Sequence, residues 1–364
     1  MIRNYSIVFD DHLSRILFDK KISLVFSTYQ AGRLMVIGSL DGLNLHQIPI
    51  GFKKPMGLAI KDNKLAVATL KDIYFFSNSE NVTNTIRYNE KKFDTVYLQR
   101  AKYNTSTLDV HDIAFGKGML WGVSTVFSCI SVFDINHSFV PKWKPPFITE
   151  LVPEDRCHLN SMIMENGLPA YVSMLSMTNT KEGWRENITE TGAIMTVPKG
   201  EIIAEGLSLP HSLINDGEYI YFLESGKGTL NRVHKQTKEI EVIHDFQRFV
   251  RGLKKLDNYF FVTYSAVRES SKTFKSISFD NPTDKAGLLV YDMNMRSVVA
   301  QLEYQEDVEE IYDVDIFDGF LKPAIVNENQ DIYDTIITFP KNVFWRKDKD
   351  KKDSDIEKKA SVKG

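Results

Sequence analysis

One arrangement of polar and hydrophobic positions recurs six times along the chain. A polar pair is followed by a short apolar run, a turn with glycine or asparagine and, in most copies, a second apolar run. The clearest copy is 109–124, where His111 and Asp112 precede the first run and Lys117-Gly118 marks the turn. Every copy has a small or acidic residue second and an aliphatic or Met residue third. The copies begin at Met56, His111, Asn160, His211, Arg251 and Tyr312.

Further β-rich runs follow each of the first five copies, so each copy opens a unit of four strands. Four-stranded units that recur every roughly 40–60 residues are typical of propeller blades. The sixth copy has only its first strand, at 312–317, whereas the N-terminal part offers three strands without a partner at 23–50. Joining both chain ends in one blade leaves no open edge. The sequence therefore predicts an all-β, six-bladed β-propeller, closed by N-terminal strands that complete the last blade.

The predicted propeller spans 22–345, between a lead-in segment at 1–21 and a charged tail at 346–364. Leu13, Ile16 and Leu17 have roughly helical spacing, which indicates a short helix in the lead-in. The tail is too highly charged to bury a core and is predicted to be disordered. Two runs near the C-terminus, 323–326 and 335–339, could instead form a strand that competes with 23–29. A seventh blade or a β-sandwich pair is the corresponding alternative.

Composition narrows the classes of partner. The chain has 364 residues, 43% of them hydrophobic, and 45 basic against 48 acidic residues give a net charge of −3. This balance argues against nucleic acid and membrane surfaces as partners. The N-terminus has no basic segment followed by an apolar run, and no run reaches the ~20 residues of a membrane span. We therefore expect a cytoplasmic protein in which Cys129 and Cys157 are buried free thiols, the alternative being one disulfide.

The polar residues that begin the copies are the candidates for chemistry. In a propeller the first strand of each blade lines the central channel, so these positions should converge at one end of it. His158 lies just upstream of Asn160, and the pair Glu309 and Glu310 lies just upstream of Tyr312. The core-facing positions elsewhere in each copy are apolar, so these polar side chains depart from the hydrophobic pattern. Such departures tend to mark function.

Three interpretations of this set stay open. The first is a divalent metal (Zn, Fe or Mn) bound by His111, His158 and His211, with a carboxylate from Glu309 or Glu310. The second is metal-free acid–base catalysis, in which a histidine and a glutamate exchange protons, Arg251 holds an anionic group and Asn160 belongs to the same site. In the third, these groups only bond to one another and to water.

Several motifs together resemble a family of bacterial β-propeller proteins that has no assigned reaction. The matching segments are 27–33, 110–113, 139–146, 153–160, 183–185, 209–212, 251–252 and 308–313. The resemblance covers nearly the whole chain except the tail and implies a propeller, but it brings no catalytic role. A looser similarity is to six-bladed sugar lactonases and strictosidine-synthase-like proteins. The lactonase pattern of Glu, Asn and Asp around calcium is not reproduced here, so only the architecture carries over.

Two functions fit these observations. One is an enzyme, metal-dependent or metal-free, with a His-rich site at one end of the channel and a small polar or sugar-like substrate. The other is a non-enzymatic propeller module that binds a glycan or a protein partner. Three imidazoles at one depth of the channel favour the enzyme, whereas a broad rim rich in Trp and Tyr would favour the binding module.

Overall fold

The computed structural model describes residues 5–85, 93–267, 274, 277–280 and 283–346. Its helices are α1 (Asp11–Asp19) and α2 (Glu80–Thr85), with short 3₁₀ turns at Thr125–Phe127, Gly183–Arg185 and Tyr333–Thr335. The predicted tail at 346–364 lies, apart from Arg346, outside the described residues. The N-terminal half of the described chain forms strands β1 (Ile7–Phe9), β2 (Ile22–Thr28), β3 (Arg33–Gly38), β4 (His46–Gly51), β5 (Leu58–Lys61), β6 (Lys64–Ala68), β7 (Asp72–Asn78), β8 (Thr95–Asn104), β9 (Val110–Gly116), β10 (Met119–Ser124), β11 (Cys129–Val132), β12 (Val140–Trp143), β13 (Leu159–Glu165) and β14 (Leu168–Met174).

The C-terminal half of the described chain forms the remaining strands. They are β15 (Gly192–Thr196), β16 (Ile202–Leu207), β17 (Pro210–Asp216), β18 (Tyr219–Glu224), β19 (Thr229–His234), β20 (Ile240–Asp245), β21 (Phe249–Leu256), β22 (Tyr259–Ser265), β23 (Gly287–Asp292), β24 (Ser297–Tyr304), β25 (Asp313–Asp318), β26 (Pro323–Val326), β27 (Ile336–Phe339) and β28 (Asn342–Trp345).

Six sheets form the six blades of a β-propeller, as the sequence predicted. The closing blade has the order β25-β2-β3-β4, and blades two to six are β5–β8, β9–β12, β13–β16, β17–β20 and β21–β24. In the closing blade β2 and β25 run antiparallel, in register from Ile22 opposite Asp318 to Ser27 opposite Asp313. This pairing joins the two ends of the chain and confirms the predicted closure.

The two C-terminal runs that could have competed with the closing strand lie elsewhere. β26 adds to the outer edge of blade two by parallel pairing with β8, and β27 forms a hairpin with β28. At the other end of the chain, β1 adds to the outer edge of blade six beside β24. Neither C-terminal run displaces β2, so each extends or flanks a blade that is already complete.

Hairpin turns between the first two strands of a blade follow from the local sequence. Lys117-Gly118 and Asn166-Gly167 both have two successive positive φ angles, +50° and +77° in the first pair and +51° and +77° in the second. This conformation defines a type I′ turn, whose twist matches that of the flanking strands, and it favours glycine at the second position. The recurring glycine or asparagine of the copies therefore marks the end of the inner strand.

The hydrophobic core lies between neighbouring blades rather than at one centre. One layer joins the closing blade to blade two through side chains such as Val25, Phe76 and Phe317, and similar layers join blades three and four and blades five and six. In α1 the buried Leu13, Ile16 and Leu17 pack into the layer between the closing blade and blade six. Face-to-face packing of sheets leaves the inner strands free to present polar residues to the channel.

The structure also bears on the predictions for the two cysteines and for membrane-spanning segments. Cys129 and Cys157 are buried and free, as expected from the sequence. Burial raises the pKa of both thiols to about 12, so neither is a thiolate at neutral pH. Within the described parts of the chain, no helix has the length and apolar character needed to cross a bilayer.

Closure of the ring predicts a large stability cost at Phe317. This side chain is 1% exposed and packs against Tyr97, with ring centroids 5.0 Å apart. Phe317→Ala should lower the free energy of unfolding by about 3–5 kcal/mol in urea denaturation, because it leaves a cavity between two blades. The matched change Phe344→Ala, at a side chain 59% exposed, should cost less than about 0.5 kcal/mol. Equal losses for the two variants would contradict closure through this layer.

Candidate functional site

A cavity of about 360 Å³ lies in the central channel and is lined by residues from all six inner strands. Its size falls in the usual range of small-molecule sites, about 300–1,000 Å³. The structure places five of the six first positions in its lining. These are His111, Asn160, His211, Arg251 and Tyr312. The sixth, Met56, is fully buried, and its blade contributes the residues that follow it.

The residue two places before the first position has a recurring backbone conformation. Lys54, Asp109, His158 and Leu209 all have φ between +48° and +53°, the left-handed region that non-glycine residues rarely adopt. Each such residue costs of order 1 kcal/mol or more, so the surrounding structure must hold it there. The carbonyls of Asp109 and Leu209 accept the Nδ1–H of His111 and His211, at 3.0 Å and 2.8 Å. The strained turn therefore orients the imidazole that follows it.

These hydrogen bonds fix the tautomer of both rings. A carbonyl oxygen can only accept, so Nδ1 carries the proton and Nε2 keeps a lone pair. Burial lowers the pKa of His111 to about 4, and burial together with Arg251 holds the pKa of His211 well below its usual value. Both rings are therefore neutral at pH 7, and each offers Nε2 as a hydrogen-bond acceptor or ligand atom.

His158 has a different set of partners. Its Nδ1 donates to the Asp155 carboxylate at 2.9 Å, and the same carboxylate accepts the indole N–H of Trp184 at 2.9 Å. The Trp184 ring lies 4.2 Å from the His158 ring, and the His111 ring meets His158 edge to face at 4.8 Å. A carboxylate on Nδ1 orients an imidazole and stabilises a proton that arrives at Nε2. His158 thus has the supporting groups of a general acid–base residue.

Three buried polar atoms at this end of the channel have no hydrogen-bond partner among the described residues. They are Nδ2 of Asn160, Nε of Arg251 and the hydroxyl oxygen of Tyr312. Burial raises the pKa of Tyr312 well above its usual value, so its hydroxyl stays protonated. An unmet buried donor costs about 1–3 kcal/mol, which a ligand with acceptor atoms would remove. We call His111, His158, Asn160, His211, Arg251 and Tyr312 the histidine layer.

The structure separates the two glutamates of the candidate set. Glu310 is buried, and its Oε1 lies 3.4 Å from Nη1 of Arg251. Glu309 is exposed, and its carbonyl accepts the backbone N–H of Ala266. Glu310 is therefore buried next to Arg251 of the histidine layer, whereas the side chain of Glu309 lies on the surface. In the described part of the chain, no group of three or more His, Cys, Asp or Glu side chains is arranged to hold a metal ion. The metal set remains a prediction from the sequence.

A second set of polar residues lies deeper in the channel. We call Asp112, Asp313 and Asp315, with Lys254, the carboxylate layer; all four line the cavity. Lys254 pairs with Asp315 at 2.6 Å. Each carboxylate also accepts a backbone N–H from the next blade: Met162 donates to Asp112, Leu58 to Asp313 and Ile60 to Asp315. Burial raises the pKa of Asp112 to about 7, and burial together with Asp112 raises that of Asp313 to about 8.

The site residues predicted from the sequence include no member of the carboxylate layer and neither of the partners of His158. Asp112 and Asp313 occupy the second position of the repeat, where every copy has a small or acidic residue. Comparing the six copies could have exposed them, because the other four have Gly or Ser there: Gly57, Ser161, Ser212 and Gly252. Asp155 and Trp184 come from loops, and no periodic signal marks loops.

The fold and the site define a six-bladed propeller with a polar, ligand-sized cavity in its channel. The chain belongs to the family described as Domain of unknown function (DUF4915), whose family model matches residues 11–326. This family has no established reaction. No curated protein matches the sequence.

Similarity to solved structures concerns the fold alone. One similar chain comes from a structure titled "Crystal structure of Nidogen/Laminin Complex", with 12% identity and a TM-score of 0.52. Another is a protein of unknown function from Bacteroides caccae, with 10% identity and a TM-score of 0.51. Each comparison covers 81% of this chain and 98% of the other. Identities this low carry over no residue role.

The carboxylate layer predicts a pH-dependent effect of Asp112→Asn and Asp313→Asn. A carboxyl whose pKa is raised on folding contributes stability that is complete below its unfolded pKa, near 3.8, and is lost as the pH rises through about 7–8. Asparagine stays neutral throughout. Between pH 5.5 and 8.5 the melting temperature of each variant should therefore gain roughly 2 °C or more relative to the unmodified protein.

Each substitution also lowers the stability by an amount that does not depend on pH, and comparing two pH values cancels this amount. The asparagine NH₂ faces a backbone N–H that the carboxylate accepts, and this repulsion does not change with pH. The exposed Asp318→Asn, on the same strand as Asp313, should show no such trend. A difference between variant and unmodified protein that is independent of pH would show that these carboxyls do not titrate in this range.

Proposed function

We propose that the histidine layer is the active site of an enzyme that performs general acid–base chemistry on a small, hydroxylated, sugar-like substrate. The observation that supports this proposal is that the layer offers both hydrogen-bond acceptors and buried hydrogen-bond donors without a partner. His111 and His211 supply acceptors through Nε2, whereas Asn160, Arg251 and Tyr312 supply buried donors that lack partners. A hydroxyl both donates and accepts, so one polyol or sugar satisfies both kinds at once.

The donors favour an organic ligand over a bare metal ion. A divalent cation would satisfy the lone pairs of the imidazoles, but it would leave the N–H groups of Asn160 and Arg251 without an acceptor. Hydroxyl, carbonyl or carboxylate oxygens of a substrate would bond to both. The predicted zinc, iron or manganese ion is thus the alternative partner of the imidazoles, but it would satisfy fewer of the polar groups that lack a hydrogen bond.

Contacts of the aromatic rings also restrict the substrate. Trp184 is 3% exposed, with His158 on one side and the Arg185 guanidinium 4.1 Å from its ring centroid. Tyr312 contacts the Arg251 guanidinium at 4.7 Å and the His111 ring at 5.5 Å. These rings already have partners, so they offer no open platform for stacking a base or a long glycan. Recognition by hydrogen bonds suits a small polar molecule.

Four residues of the layer then have distinct roles. His158, oriented by Asp155, transfers the proton, because among the three imidazoles it is the one whose Nδ1 is hydrogen-bonded to a carboxylate, whereas those of His111 and His211 bond to backbone carbonyls. His111 and His211 accept hydroxyl hydrogens and position the substrate. Arg251, balanced by Glu310 at 3.4 Å, lies where negative charge that develops during proton transfer would be stabilised.

Binding is tested first with Asn160→Ala. Aldoses, alditols and aldonates are screened by thermal shift, and the best ligand is measured by calorimetry. Loss of one buried donor should weaken binding by roughly three- to tenfold. The matched variant Asn215→Ala, which removes an exposed amide on β17, should bind like the unmodified protein. Equal affinities for both asparagine variants would place the ligand outside the histidine layer.

Catalysis is tested with His158→Gln and Asp155→Asn. The bound ligand is incubated in D₂O and followed by NMR, which detects both new products and exchange of substrate hydrogens for deuterium. Turnover should fall at least about 100-fold in His158→Gln, whereas ligand affinity should change less than about threefold. Glu309→Gln, at the exposed neighbour of Glu310, should retain both properties.

Different failures of this test point to different functions. Binding without any turnover in the unmodified protein would identify a binding module for a glycan or another partner. A stoichiometric metal whose removal by a chelator abolishes ligand binding would instead support the predicted set of His111, His158 and His211. Full turnover in His158→Gln would contradict its role as the proton-transfer residue.

A further inference from the structure

We propose that the channel ligand carries an ammonium group, which binds to Asp112 and Asp313 in the carboxylate layer beneath the histidine layer. This inference rests on the proposed function, because it concerns the same cavity and names the chemical class of the substrate: an aminated polyol or amino sugar. Its hydroxyls would bond to the histidine layer and its amine would bond deeper in the channel.

The carboxylate layer has more acidic than basic groups. Three carboxyl groups face one ammonium, and that ammonium, on Lys254, is bound to Asp315 at 2.6 Å. Among the described residues, Asp112 and Asp313 have hydrogen bonds but no ion pair. Both are only partly buried and line the cavity, so the open part of each side chain faces the space where a ligand would lie. One positive charge in that space would balance the layer better than any group the chain provides.

The repeat itself does not require a carboxylate at this position. Asp112 and Asp313 each bond to the next blade, but the equivalent position is Gly or Ser in the other four blades, and those blades pack without a carboxylate. Ser212, for example, links blades five and six by donating from its hydroxyl to the carbonyl of Arg251 at 2.8 Å. A serine would therefore serve the purely structural purpose at a lower electrostatic cost.

Electrostatics of the channel residues agree with this inference. Groups that act on the two carboxyls include Lys254 and Asp315, with Asp112 also acting on Asp313. Desolvation of both carboxyls, and the neighbouring Asp112 in the case of Asp313, favour the protonated forms. An ammonium group would reverse this balance, because it stabilises the ionised carboxylate by a charge-assisted hydrogen bond.

An independent feature of the same cavity indicates that it holds a ligand. Asn160 is 5% exposed, and its Nδ2 has no partner among the described residues. An organic ammonium also suits the geometry better than a metal ion, since it needs only one or two acceptors, whereas calcium requires about six to eight oxygen ligands. Among the described residues, no group of three or more acidic, His or Cys side chains is placed to hold a metal ion.

The test uses three sugars that differ only at C6. They are 6-amino-6-deoxyglucose, glucose and glucuronate, which place an ammonium, a hydroxyl and a carboxylate on the same ring. At pH 7.5 a primary alkylamine stays protonated. By calorimetry the amino sugar should bind the unmodified protein at least roughly tenfold more tightly than glucose, and glucuronate should bind weakest.

Substitutions then assign the preference to the carboxylate layer. Asp112→Asn and Asp313→Asn should each reduce the advantage of the amino sugar over glucose to within about threefold, whereas Asp318→Asn should keep it. Two independent variants guard against misfolding of either one, and thermal unfolding confirms that each is folded.

Each remaining outcome decides the question. If glucose and the amino sugar bind equally well to the unmodified protein, the ammonium proposal is overturned and the proposed function stands. If none of the three sugars binds, the ammonium proposal falls together with the sugar-like substrate. Calcium chloride alone is the last arm: stabilisation by calcium that requires Asp112 and Asp313, without an amine preference, would assign the charge to a metal ion instead.

Discussion

Antiparallel pairing of β2 with β25 is the interaction on which the rest of the structure depends. It joins residues almost 300 positions apart, and it completes the ring that turns six separate sheets into one channel. Asp313 and Asp315 extend this closure, because they accept backbone N–H groups of Leu58 and Ile60 in blade two. Tyr312, Asp313 and Asp315 reach the cavity because this pairing brings the C-terminal strand back to the N-terminal blade. The site therefore exists only in the closed ring.

Within the ring, strained turns determine the chemistry of the imidazoles. Left-handed residues two places before His111 and His211 direct a carbonyl at Nδ1, and burial then keeps both rings neutral. His158 itself occupies the left-handed position of blade four, so its ring has no such carbonyl and bonds to Asp155 instead. The left-handed position precedes the histidine by two residues in two blades and is occupied by the histidine itself in blade four. The same backbone conformation thus produces two acceptor histidines and one histidine with a carboxylate partner.

Periodic features were predictable from the sequence, and features without a period were not. The inner strands, the six blades and the closing strand all follow from the repeat, which packing between blades imposes on every unit. The same alignment placed His111, Asn160, His211, Arg251 and Tyr312 together. Asp155 and Trp184 lie on loops, and exposure of Glu309 beside buried Glu310 depends on side-chain direction, which the sequence does not specify. The short strand β1 was missed because three residues are too few to show alternation.

The two layers together make the channel asymmetric. Burial drives His111 and His211 to lose a proton and Asp112 and Asp313 to keep one, so both kinds of group tend towards neutrality. Charged pairs that remain, Arg251 with Glu310 and Lys254 with Asp315, join only blade six and the closing blade. At the histidine layer, the wall formed by blades three to five carries imidazole and amide groups. A molecule that enters such a channel meets charge on one side and neutral hydrogen-bonding groups on the other. This asymmetry would hold a small, asymmetric substrate in a single orientation, which the proposed proton transfer by His158 would require.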